Sequence, residues 1–568
     1  LGLIYIKGED GHQDINKGIH YFELAAKNNY PQAQYNLGVF YSSNQYVKRD
    51  MNKAIYYLSL AANKNYILAI LKMGLIYSQS QFFPPDIDKS IYYFSLGANL
   101  NDAECQFYLG YIYSNKVYNH LDINKALKYY ELSSYQNHIN SLINIAMIYL
   151  DGIYIKQDID KCISYLLRAS NQNSPIAQNM LGIIYAEAKY KRYDLTKAIS
   201  YFELSAKQDF SLACQNIAHI YYNNMHNKED FDKSLYYYTI AANKNLVESQ
   251  YNLGLIYFDN KYIPRNIDKA LYYFRKAANQ NDHYAQYFLG CLYDEGKYVP
   301  KNRTIALKYF HLAAKSNEKD SLLIIGNHYL ETGEIEKGIY YITQSAKNGH
   351  IYANFLCGFI NQNGKYLDRN INEAIHFYKE ASSFNNQYAK NNLGVIYKNG
   401  FEDKIIKNNG KAISYFEDAI HQSNDLLSMY HLAKFYFYEE STNKRNKEIV
   451  EYLVKSMNLG FPQSRELLCL FLIEQSNFDF EKIKIEIEQI KNISKEQSYL
   501  ICRMIKNNYL CNDSFFKERC QFHQNNDFLY DDDYNVVLLK SVLNESKIKI
   551  KQIPEIKKEF YEGFGFDI

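Results

Sequence analysis

The chain has 568 residues, and its 64 lysine and arginine residues nearly balance 62 aspartate and glutamate residues, for a formal net charge of +2. Because a near-neutral chain attracts phosphate backbones weakly, we expect no nucleic-acid partner. Hydrophobic residues make up 47% of the chain, too large a share for a disordered protein. The longest apolar run, Leu467 to Ile473, is far shorter than the roughly 20 residues of a membrane-spanning helix, so we expect no membrane insertion.

The chain begins with Leu1, inside a motif that recurs downstream, which indicates that the natural N-terminus lies further upstream. Its nine cysteines include no Cys-x-x-Cys pair, and an odd number of scattered cysteines favours a reducing compartment over a disulfide framework. We therefore expect a cytoplasmic protein. The lumen of the endoplasmic reticulum stays open as an alternative, since a signal peptide could precede Leu1.

One short motif, an apolar residue followed by glycine, two further residues and tyrosine, recurs along most of the chain. Its anchor glycines are Gly38, Gly74, Gly110, Gly182, Gly254, Gly290, Gly326 and Gly394. Alanine replaces the glycine at Ala146, Ala218 and Ala433. From Gly2 to Gly326 the spacing is a constant 36 residues, and it then becomes 32, 36 and 39 residues. Self-similarity at this period predicts a solenoid of repeated units.

A second motif follows each copy of the first, and its best copy is Lys269–Phe274, with the sequence KALYYF. It recurs thirteen times, so each repeat is predicted to hold two helices. Aspartate or asparagine stands three residues before the lysine, where its side chain can cap the second helix. The predicted N-caps are Asp14, Asp50, Asp86, Asp122, Asp158, Asp194, Asp230, Asn266, Asn302 and Asn370.

A small residue stands five positions before each anchor. These residues are Ala33, Ala69, Cys105, Ser141, Ala177, Ala213, Ser249, Ala285, Ser321, Ala353, Ala389 and Ser428. Together with the glycine, the small residue predicts a face on which the two helices of a repeat approach closely, since a bulky side chain there would force them apart.

The combined pattern, Ala-x-x-x-x-Gly-x-x-Tyr followed by a loop and Asp-x-x-Lys-Ala-x-x-Tyr-Phe-x-x-Ala-Ala, resembles the Sel-one-like repeat (SLR), a relative of the tetratricopeptide repeat. The resemblance covers residues 1–475, about thirteen repeats. It implies an all-α, right-handed superhelical solenoid that acts as a protein-binding scaffold or adaptor, without catalysis or a cofactor.

The sequence departs from the repeat pattern at three places. The loop between the two helices loses four residues in the repeat of Gly326, and it lengthens around Phe401 to Asn409. Asn361 replaces the motif tyrosine in the repeat of Gly358. We expect Asn361 to mark a locally weaker repeat or a bend in the superhelix.

Helical geometry defines one face of each first helix that lies opposite its predicted buried side. With the anchor glycine as position zero, this face is centred on positions −3, +1 and +4. It carries apolar and aromatic side chains, and the predicted partner-binding groove comprises Tyr35, Leu71, Phe107, Tyr111, Tyr251, Tyr287, Phe355 and Tyr430. The resemblance supports the groove, because the equivalent face is concave in tetratricopeptide relatives. The alternative is that a tightly wound superhelix buries these residues between neighbouring first helices.

Two columns of amides flank this face. Asparagines recur at position −2 and glutamines at position −4, roughly 200° apart on the helix. The −2 column is Asn36, Asn144, Asn216, Asn252 and Asn392, and the −4 column is Gln34, Gln106, Gln178, Gln250 and Gln286. We expect one column to form a hydrogen-bonded ladder between repeats and the other to be solvated.

The sequence contains none of the common catalytic motifs that we sought. Phosphate-binding glycine loops, His-Glu-x-x-His, Gly-x-Ser-x-Gly and kinase signatures do not occur, so we predict no catalytic or cofactor-binding residues. The one Cys/His cluster, Cys502, Cys511, Cys520 and His523, lacks the spacing of a common zinc site, and we predict no bound metal.

Residues 476–568 break the repeat period and are predicted to cap the apolar end of the array, with a separate partner-binding or dimerisation element as the alternative. The predicted function is a non-catalytic protein–protein scaffold. Two alternatives stay open: a regulatory or targeting arm of a signalling enzyme, such as a kinase fusion whose catalytic domain lies upstream, or an adaptor of the ubiquitin ligase of endoplasmic-reticulum-associated degradation.

Overall fold

The computed structural model describes residues 1–8, 13–44, 46–79, 84–224, 227–364, 366–400, 405–439 and 445–475. These residues form 27 α-helices and two short 3-10 helices, and none of them forms a β-strand. The first helices of the repeats are α1 (Gly2–Lys7), α3 (Pro31–Ser42), α5 (Ile67–Gln79), α7 (Ala103–Ser114), α9 (Ile139–Asp151), α11 (Pro175–Ala186), α13 (Ser211–Asn223), α15 (Val247–Phe258), α17 (His283–Glu295), α19 (Lys319–Glu331), α21 (Ile351–Asn363), α23 (Gln387–Asn399), α25 (Leu426–Tyr438) and α27 (Pro462–Gln475).

Second helices alternate with the first helices. They are α2 (Ile15–Lys27), α4 (Met51–Ala62), α6 (Ile87–Asn99), α8 (Ile123–Tyr135), α10 (Ile159–Ser170), α12 (Leu195–Ala206), α14 (Lys228–Asn243), α16 (Ile267–Asn279), α18 (Arg303–Ala314), α20 (Ile335–Lys347), α22 (Ile371–Ser383), α24 (Asn409–Ser423) and α26 (Asn446–Asn458). The short 3-10 helices, Lys116–Tyr118 and Ala188–Tyr190, lie in the loops that follow α7 and α11.

The helices pack as thirteen consecutive pairs, followed by α27 as one further first helix. Each helix packs mainly against its neighbours in the chain, as expected of an α-solenoid. The predicted all-α fold of two-helix repeats is therefore confirmed. The chain divides into two compact units, one that comprises Leu1–Ser249 and another that begins at Gln250. Residues 476–568, where the C-terminal cap is predicted, lie outside the described residues.

The predicted caps begin the second helices at nine of ten positions. The Lys125 amide donates to Asp122 Oδ1 at 3.0 Å, and the Lys269 amide donates to Asn266 Oδ1 at the same distance. Each cap also closes the loop between the two helices, since the Asp122 amide donates to the Tyr113 carbonyl at 2.8 Å.

The prediction for Asp230 is wrong. Helix α14 begins one turn earlier, and its N-cap is Asn227, whose side chain accepts from the Asp230 amide at 2.9 Å. Asp230 therefore lies in the first helical turn, beside Glu229, where the partial positive charge of the helix end favours carboxylates.

The anchor glycines allow the two helices of a repeat to approach closely. A Cβ atom at Gly254 would lie 2.5 Å from the ring of Phe274, and one at Gly394 would lie 2.5 Å from the ring of Phe416. The large side chain on each second helix thus occupies the space that any other residue would need.

The small residues at position −5 are buried, but they face a different helix from the predicted one. Ser141 on α9 donates to Ser133 on α8 at 2.8 Å, and a Cβ atom at Gly97 on α6 would lie 2.8 Å from Cys105 Cβ on α7. The small residue thus permits close approach to the second helix of the preceding repeat, whereas the glycine permits close approach to the second helix of its own repeat. The two positions lie about 140° apart on the helix, which explains the two partners.

The turn from each second helix into the next repeat contains one residue with positive φ, as expected where a helix must end abruptly. Asparagine occupies this position in most repeats, as at Asn281 (φ 65°), and glycine occupies it at Gly349. The two predicted loop changes give different outcomes. The short loop between α19 and α20 is observed, whereas residues 401–404 of the long loop lie outside the described residues.

Candidate interaction surface

The motif tyrosines lie at the side of each repeat, outside the predicted groove. Tyr257 on α15 stacks nearly parallel on Tyr273 of α16, with ring centroids 5.8 Å apart and an interplanar angle of 2°. The Lys269 ammonium lies 4.9 Å from the centre of the Tyr257 ring. Burial raises the pKa of Tyr273, which keeps this phenol neutral. The recurring spacing of Tyr, Lys and Tyr therefore joins the two helices of one repeat.

Ten further described repeats or part-repeats contain this tyrosine pair. The other stacked pairs are Tyr5–Tyr21, Tyr41–Tyr57, Tyr77–Tyr93, Tyr113–Tyr129, Tyr149–Tyr165, Tyr185–Tyr201, Tyr221–Tyr237, Tyr293–Tyr309, Tyr329–Tyr341 and Tyr397–Tyr415. In the repeat of α21 and α22, the three positions hold Asn361, Glu373 and Phe377. The Asn361 side chain there donates to the Cys357 carbonyl at 2.8 Å instead.

Four of the eight predicted groove residues are buried: Phe107, Tyr251, Phe355 and Tyr430, with exposed fractions of 0 to 4%. Tyr251 shows the arrangement, because its ring lies 5.9 Å from Phe274 on the second helix of its repeat and 6.0 Å from Tyr284 on the next first helix. These four side chains thus contribute to packing within and between repeats.

The other four predicted groove residues are half-buried: Tyr35, Leu71, Tyr111 and Tyr287. The first three lie on successive first helices of one compact unit, α3, α5 and α7. Half-buried apolar side chains at position +1 extend the same face. We call this surface the open face, and it consists of Tyr35, Val39, Leu71, Leu75, Tyr111 and Met147.

From α11 onward, position +1 is closed in nearly every first helix. Its occupants are between 0 and 7% exposed, and they are Ile183, His219, Leu255, Cys291, Asn327, Val395 and Lys434. Phe359 on α21 is the half-buried exception. The same position in the repeat is therefore accessible on α3 to α9 and covered on most later first helices.

The glutamine column at position −4 forms the predicted ladder. All five glutamines are buried. Gln34 Nε2 donates to the Ala26 carbonyl at 3.1 Å, and Gln286 Nε2 donates to the Ala278 carbonyl at 3.0 Å, in each case on the second helix of the preceding repeat. The expectation that the other column is solvated is wrong at three of its five positions, Asn216, Asn252 and Asn392, which are at most 2% exposed.

The asparagine column finds polar partners inside the array. Asn392 donates to the buried Tyr378 hydroxyl at 3.0 Å, and Asn216 donates to Asn179 at 3.1 Å. A buried amide needs such partners because an unpaired polar group in a dry interior is costly. Both columns therefore hold the repeats together and leave the open face mainly apolar.

Sequence reasoning missed a row of exposed tyrosines on the second helices. Each is the first tyrosine of a Tyr-Tyr pair, and the exposed fractions range from 52 to 61% at Tyr56, Tyr92, Tyr236, Tyr272 and Tyr340. The signal was present, because consecutive helical residues point about 100° apart and only the second tyrosine can join the stacks.

The described cysteines are all free and buried. Burial raises the pKa of the Cys162 and Cys357 thiols to about 12, so both are protonated at neutral pH. Among the described residues, no helix has both the length and the hydropathy that a membrane span requires. Within that part of the chain, no three or more His, Cys, Asp or Glu side chains are grouped so that they could hold a metal ion. The Cys/His cluster around Cys511 lies outside it.

Comparison with solved structures finds similar helical repeat proteins. The crystal structure of c5321, a protective antigen of uropathogenic Escherichia coli strains displaying an SLR fold, is 22% identical, with 78% of this chain and 96% of that chain covered and a TM-score of 0.46. A Sel1 repeat protein from Oxalobacter formigenes is also 22% identical, with 61% and 90% covered and a TM-score of 0.37. No curated protein matches the chain.

The Sel1 repeat family model matches the chain eleven times. The matched residues are 1–30, 31–66, 67–102, 103–138, 139–174, 175–210, 211–246, 247–282, 283–318, 351–383 and 387–424. These matches cover well over half of the sequence, and their boundaries follow the helix pairs described above. The chain therefore belongs to the Sel1 repeat family.

Proposed function

We propose that this Sel1 repeat protein is a non-catalytic scaffold that binds an apolar segment of a partner protein on the open face of α3, α5, α7 and α9. The observation that carries the proposal is the exposure of this face. Six apolar side chains on the first helices of four successive repeats are half-buried there, whereas position +1 is buried on most later first helices.

The chemistry of the open face suits a protein segment rather than a charged ligand. Tyr35 and Tyr111 offer large apolar rings with a polar hydroxyl, and tyrosine is enriched among the residues that dominate protein–protein binding energy. Both rings also pack against aromatic neighbours. The ring centroids are 5.5 Å apart for Tyr35 and Tyr66 and 6.4 Å apart for Tyr111 and Phe107. Ordered aromatic anchors lose little conformational entropy on binding.

The proposal includes a reducing compartment such as the cytoplasm. It is supported by the six described cysteines, all of which are free and buried, and by the odd total of nine. Nothing observed on the described helices favours the kinase-fusion or the degradation-adaptor alternative.

A peptide library displayed on phage tests the binding surface while the partner itself is still unidentified. We expect the full chain to select peptides with aromatic or aliphatic anchors. The triple variant Tyr35→Ser, Leu71→Ser and Tyr111→Ser should lose these peptides and keep its helical circular dichroism. The matched control Tyr56→Ser and Tyr92→Ser removes exposed aromatic area from α4 and α6 and should keep them.

The control decides how the selection is interpreted. Peptides that bind the wild-type chain and the triple variant equally would place the binding surface elsewhere. Peptides lost in the control and kept in the triple variant would move it to the second helices. A library that yields no specific peptide for the folded chain would argue against recognition of linear segments.

A further inference from the structure

Two consecutive loops of the unit that begins at Gln250 carry nearly the same basic sequence. The loop between α15 and α16 ends with residues 261–266, KYIPRN, and the loop between α17 and α18 ends with residues 297–302, KYVPKN. Residues 259–308 contain nine lysine and arginine residues against five aspartate and glutamate residues, a net charge of +4. The whole chain has a net charge of only +2, so positive charge is concentrated around these two loops.

Both loops are ordered, and one arginine joins them. The Asn266 amide donates to the Tyr257 carbonyl at 2.8 Å, and the equivalent bond of the second loop has the same length. A proline in each loop fixes the backbone further. Arg265 Nη1 donates to the Tyr298 hydroxyl at 2.8 Å, across to the second loop. The two loops therefore present their side chains on one surface of fixed geometry.

The lysines of this surface lie over aromatic rings rather than beside carboxylates. The Lys261 ammonium is 4.8 Å from the centre of the Tyr262 ring, and the Lys297 ammonium is 5.1 Å from the centre of the Tyr298 ring. Both lysines are exposed, as is Lys301. Such a contact holds the side chain in place, while the three N–H donors of the ammonium group stay available for an acceptor.

The asparagine cap of α16 removes a carboxylate that the first unit has at the same position. In the first unit, the cap aspartate pairs with the lysine three residues later, as in Lys89 Nζ and Asp86 Oδ2 at 2.9 Å. Asn266 makes the same cap bond to the backbone but carries no charge. Lys269, on the first turn of α16, is exposed and lies over the Tyr257 ring at 4.9 Å.

We call this surface the basic edge, and it consists of Lys261, Arg265, Lys269, Lys297 and Lys301. Within the part of the chain that the structure describes, none of these five forms an ion pair. The nearby Asp294 pairs with Arg303 instead. Asp259 and the exposed Asp268 are the carboxylates close to the edge in sequence, so two negative charges stand against five positive ones.

We propose that the basic edge binds an acidic segment of a partner protein in an extended conformation. Neighbouring helices pack about 8–10 Å apart, and three residues of an extended chain span about 10 Å, so carboxylates at every third residue match the spacing of the loops. The exposed Tyr262 and the half-buried Tyr298 add apolar contact area beside the cations. Charge complementarity of this kind provides specificity and fast association.

The same contacts favour an acidic peptide over a nucleic acid. Single strands bind by stacking their bases on open aromatic faces, whereas the Lys261 and Lys297 ammonium groups lie over the rings of the basic edge. The basic sequence also stops after two loops, because the next loop is short and the lysine that follows it, Lys337, pairs with Glu334. The inference does not rest on the proposed function, since the open face lies on α3 to α9.

Fluorescence anisotropy of the full chain tests the basic edge. The probe is a labelled peptide of about twelve residues, with glutamate at every third position and glycine and serine between. We expect binding that weakens severalfold between about 0.05 M and about 0.2 M salt. The variant Lys261→Gln, Lys297→Gln and Lys301→Gln should bind about tenfold more weakly, because each exposed ion pair contributes modestly. A wild-type chain that does not bind the peptide would overturn the proposal.

A matched control removes the same charge from the first unit. Lys89→Gln, Lys125→Gln and Lys197→Gln replace lysines that pair with their cap aspartates, so this variant should bind like the wild-type chain. An equal loss in both variants would mean that binding follows net charge, and the site would be rejected. Tighter binding of a single-stranded oligonucleotide, lost in the loop variant, would overturn the proposal in favour of a phosphate polymer.

The cap itself gives an independent readout. Asn266→Asp places a carboxylate where the first unit has one and keeps the bond to the Lys269 amide, which circular dichroism should show as unchanged helix content. We expect the peptide to bind this variant severalfold more weakly, because Lys269 then has an ion-pair partner within the chain. Unchanged affinity would contradict the role assigned to Lys269 and to the asparagine cap.

Discussion

Each anchor glycine is required because one large side chain of the second helix lies directly on it. A Cβ atom at Gly254 would meet the Phe274 ring at 2.5 Å, whereas a Cβ atom at Gly410, near the start of α24, would meet only a side-chain oxygen at 3.6 Å. The two glycines therefore differ in packing although both are helical. Alanine at two of the three replaced anchors, Ala146 and Ala433, stands where the second helix offers leucine instead of an aromatic ring.

We expect Gly254→Ala to destabilise the chain by about 1–3 kcal/mol, the usual cost of overpacking a filled core. Gly410→Ala should stabilise it by about 1 kcal/mol, because alanine is the better helix former where space is available. The midpoint of urea unfolding measures both changes. Adding Phe274→Leu to Gly254→Ala should recover part of the loss. A cost that is simply additive would show that the ring is not the obstacle.

The positive-φ asparagines explain part of the chain's high asparagine content. Among residues with a side chain, asparagine tolerates the left-handed conformation best, and only glycine adopts it more readily. It therefore recurs at one fixed place in the turn between repeats. The asparagines recur in the sequence at one repeat position, but their number alone does not show that the backbone requires them there.

Asn281, with φ of 65°, provides a direct test of this requirement. Asn281→Ala should lower stability by about 1 kcal/mol, because a Cβ atom without a compensating side chain is strained in this region. Asn281→Gly should be nearly neutral, since glycine adopts positive φ readily. Thermal unfolding of both variants beside the wild-type chain measures the difference. Equal losses in the two variants would point to a side-chain role instead.

At the scale of the helix, the two compact units use different chemistry for the same cap. Most second helices of the first unit begin at aspartate, whereas those from α16 onward often begin at asparagine, as at Asn266, Asn302 and Asn370. The backbone N–H of Lys89 holds the pKa of Asp86 below its usual value of 3.8, and the Lys125 N–H does the same for Asp122. Asparagine caps do not titrate.

The lowered pKa values predict an acid dependence that only aspartate caps confer. Their contribution is complete above the unfolded value of 3.8 and is lost as the pH falls through the lower folded value. The difference in melting temperature between the wild-type chain and Asp86→Asn/Asp122→Asn should therefore shrink between pH 7 and about pH 3. The reverse change, Asn266→Asp, should add acid dependence to α16. Differences that do not vary with pH would contradict the prediction.

Helix ends and glycine contacts could be predicted from the sequence because both depend on chemistry within one repeat. Asp122 caps α8 by bonds to residues three positions away. Asp230 was predicted wrongly because Asn227 offers a competing cap one turn earlier. The predicted contact of the small residue at position −5 was also wrong, because this residue packs against the second helix of the preceding repeat. The sequence pattern within one repeat does not specify which side chains of the neighbouring repeats contact it.

At the scale of the whole molecule, the accessible surface is the property that the sequence pattern least determines. Val39 and Lys434 share one position in the repeat, yet the valine is half-buried and the lysine is 1% exposed. From residue type alone, one would predict a buried valine and an exposed lysine. Exposure depends on what other parts of the chain cover, so eight groove residues with one shared pattern separate into four buried and four half-buried side chains.

The local packing of the array predicts how far damage spreads. Each helix packs mainly against helices one or two places away in the chain, so stability is close to a sum of neighbouring contacts. We expect Gly254→Ala to raise hydrogen exchange in α15, α16 and α17, the helices that depend on this contact. Helices α3 to α6 and α24 to α26 should keep the protection of the wild-type chain, because no direct contact links them to Gly254.

Hydrogen-exchange mass spectrometry of the full chain distinguishes this behaviour from a single cooperative transition. Gly410→Ala is the matched control, and it should leave α15 to α17 unchanged while protecting α24 slightly. Faster exchange across the described helices in Gly254→Ala would mean that the repeats unfold together and that the array is one cooperative body. Exchange confined to three helices would mean that the open face of α3 to α9 stays folded while another repeat opens.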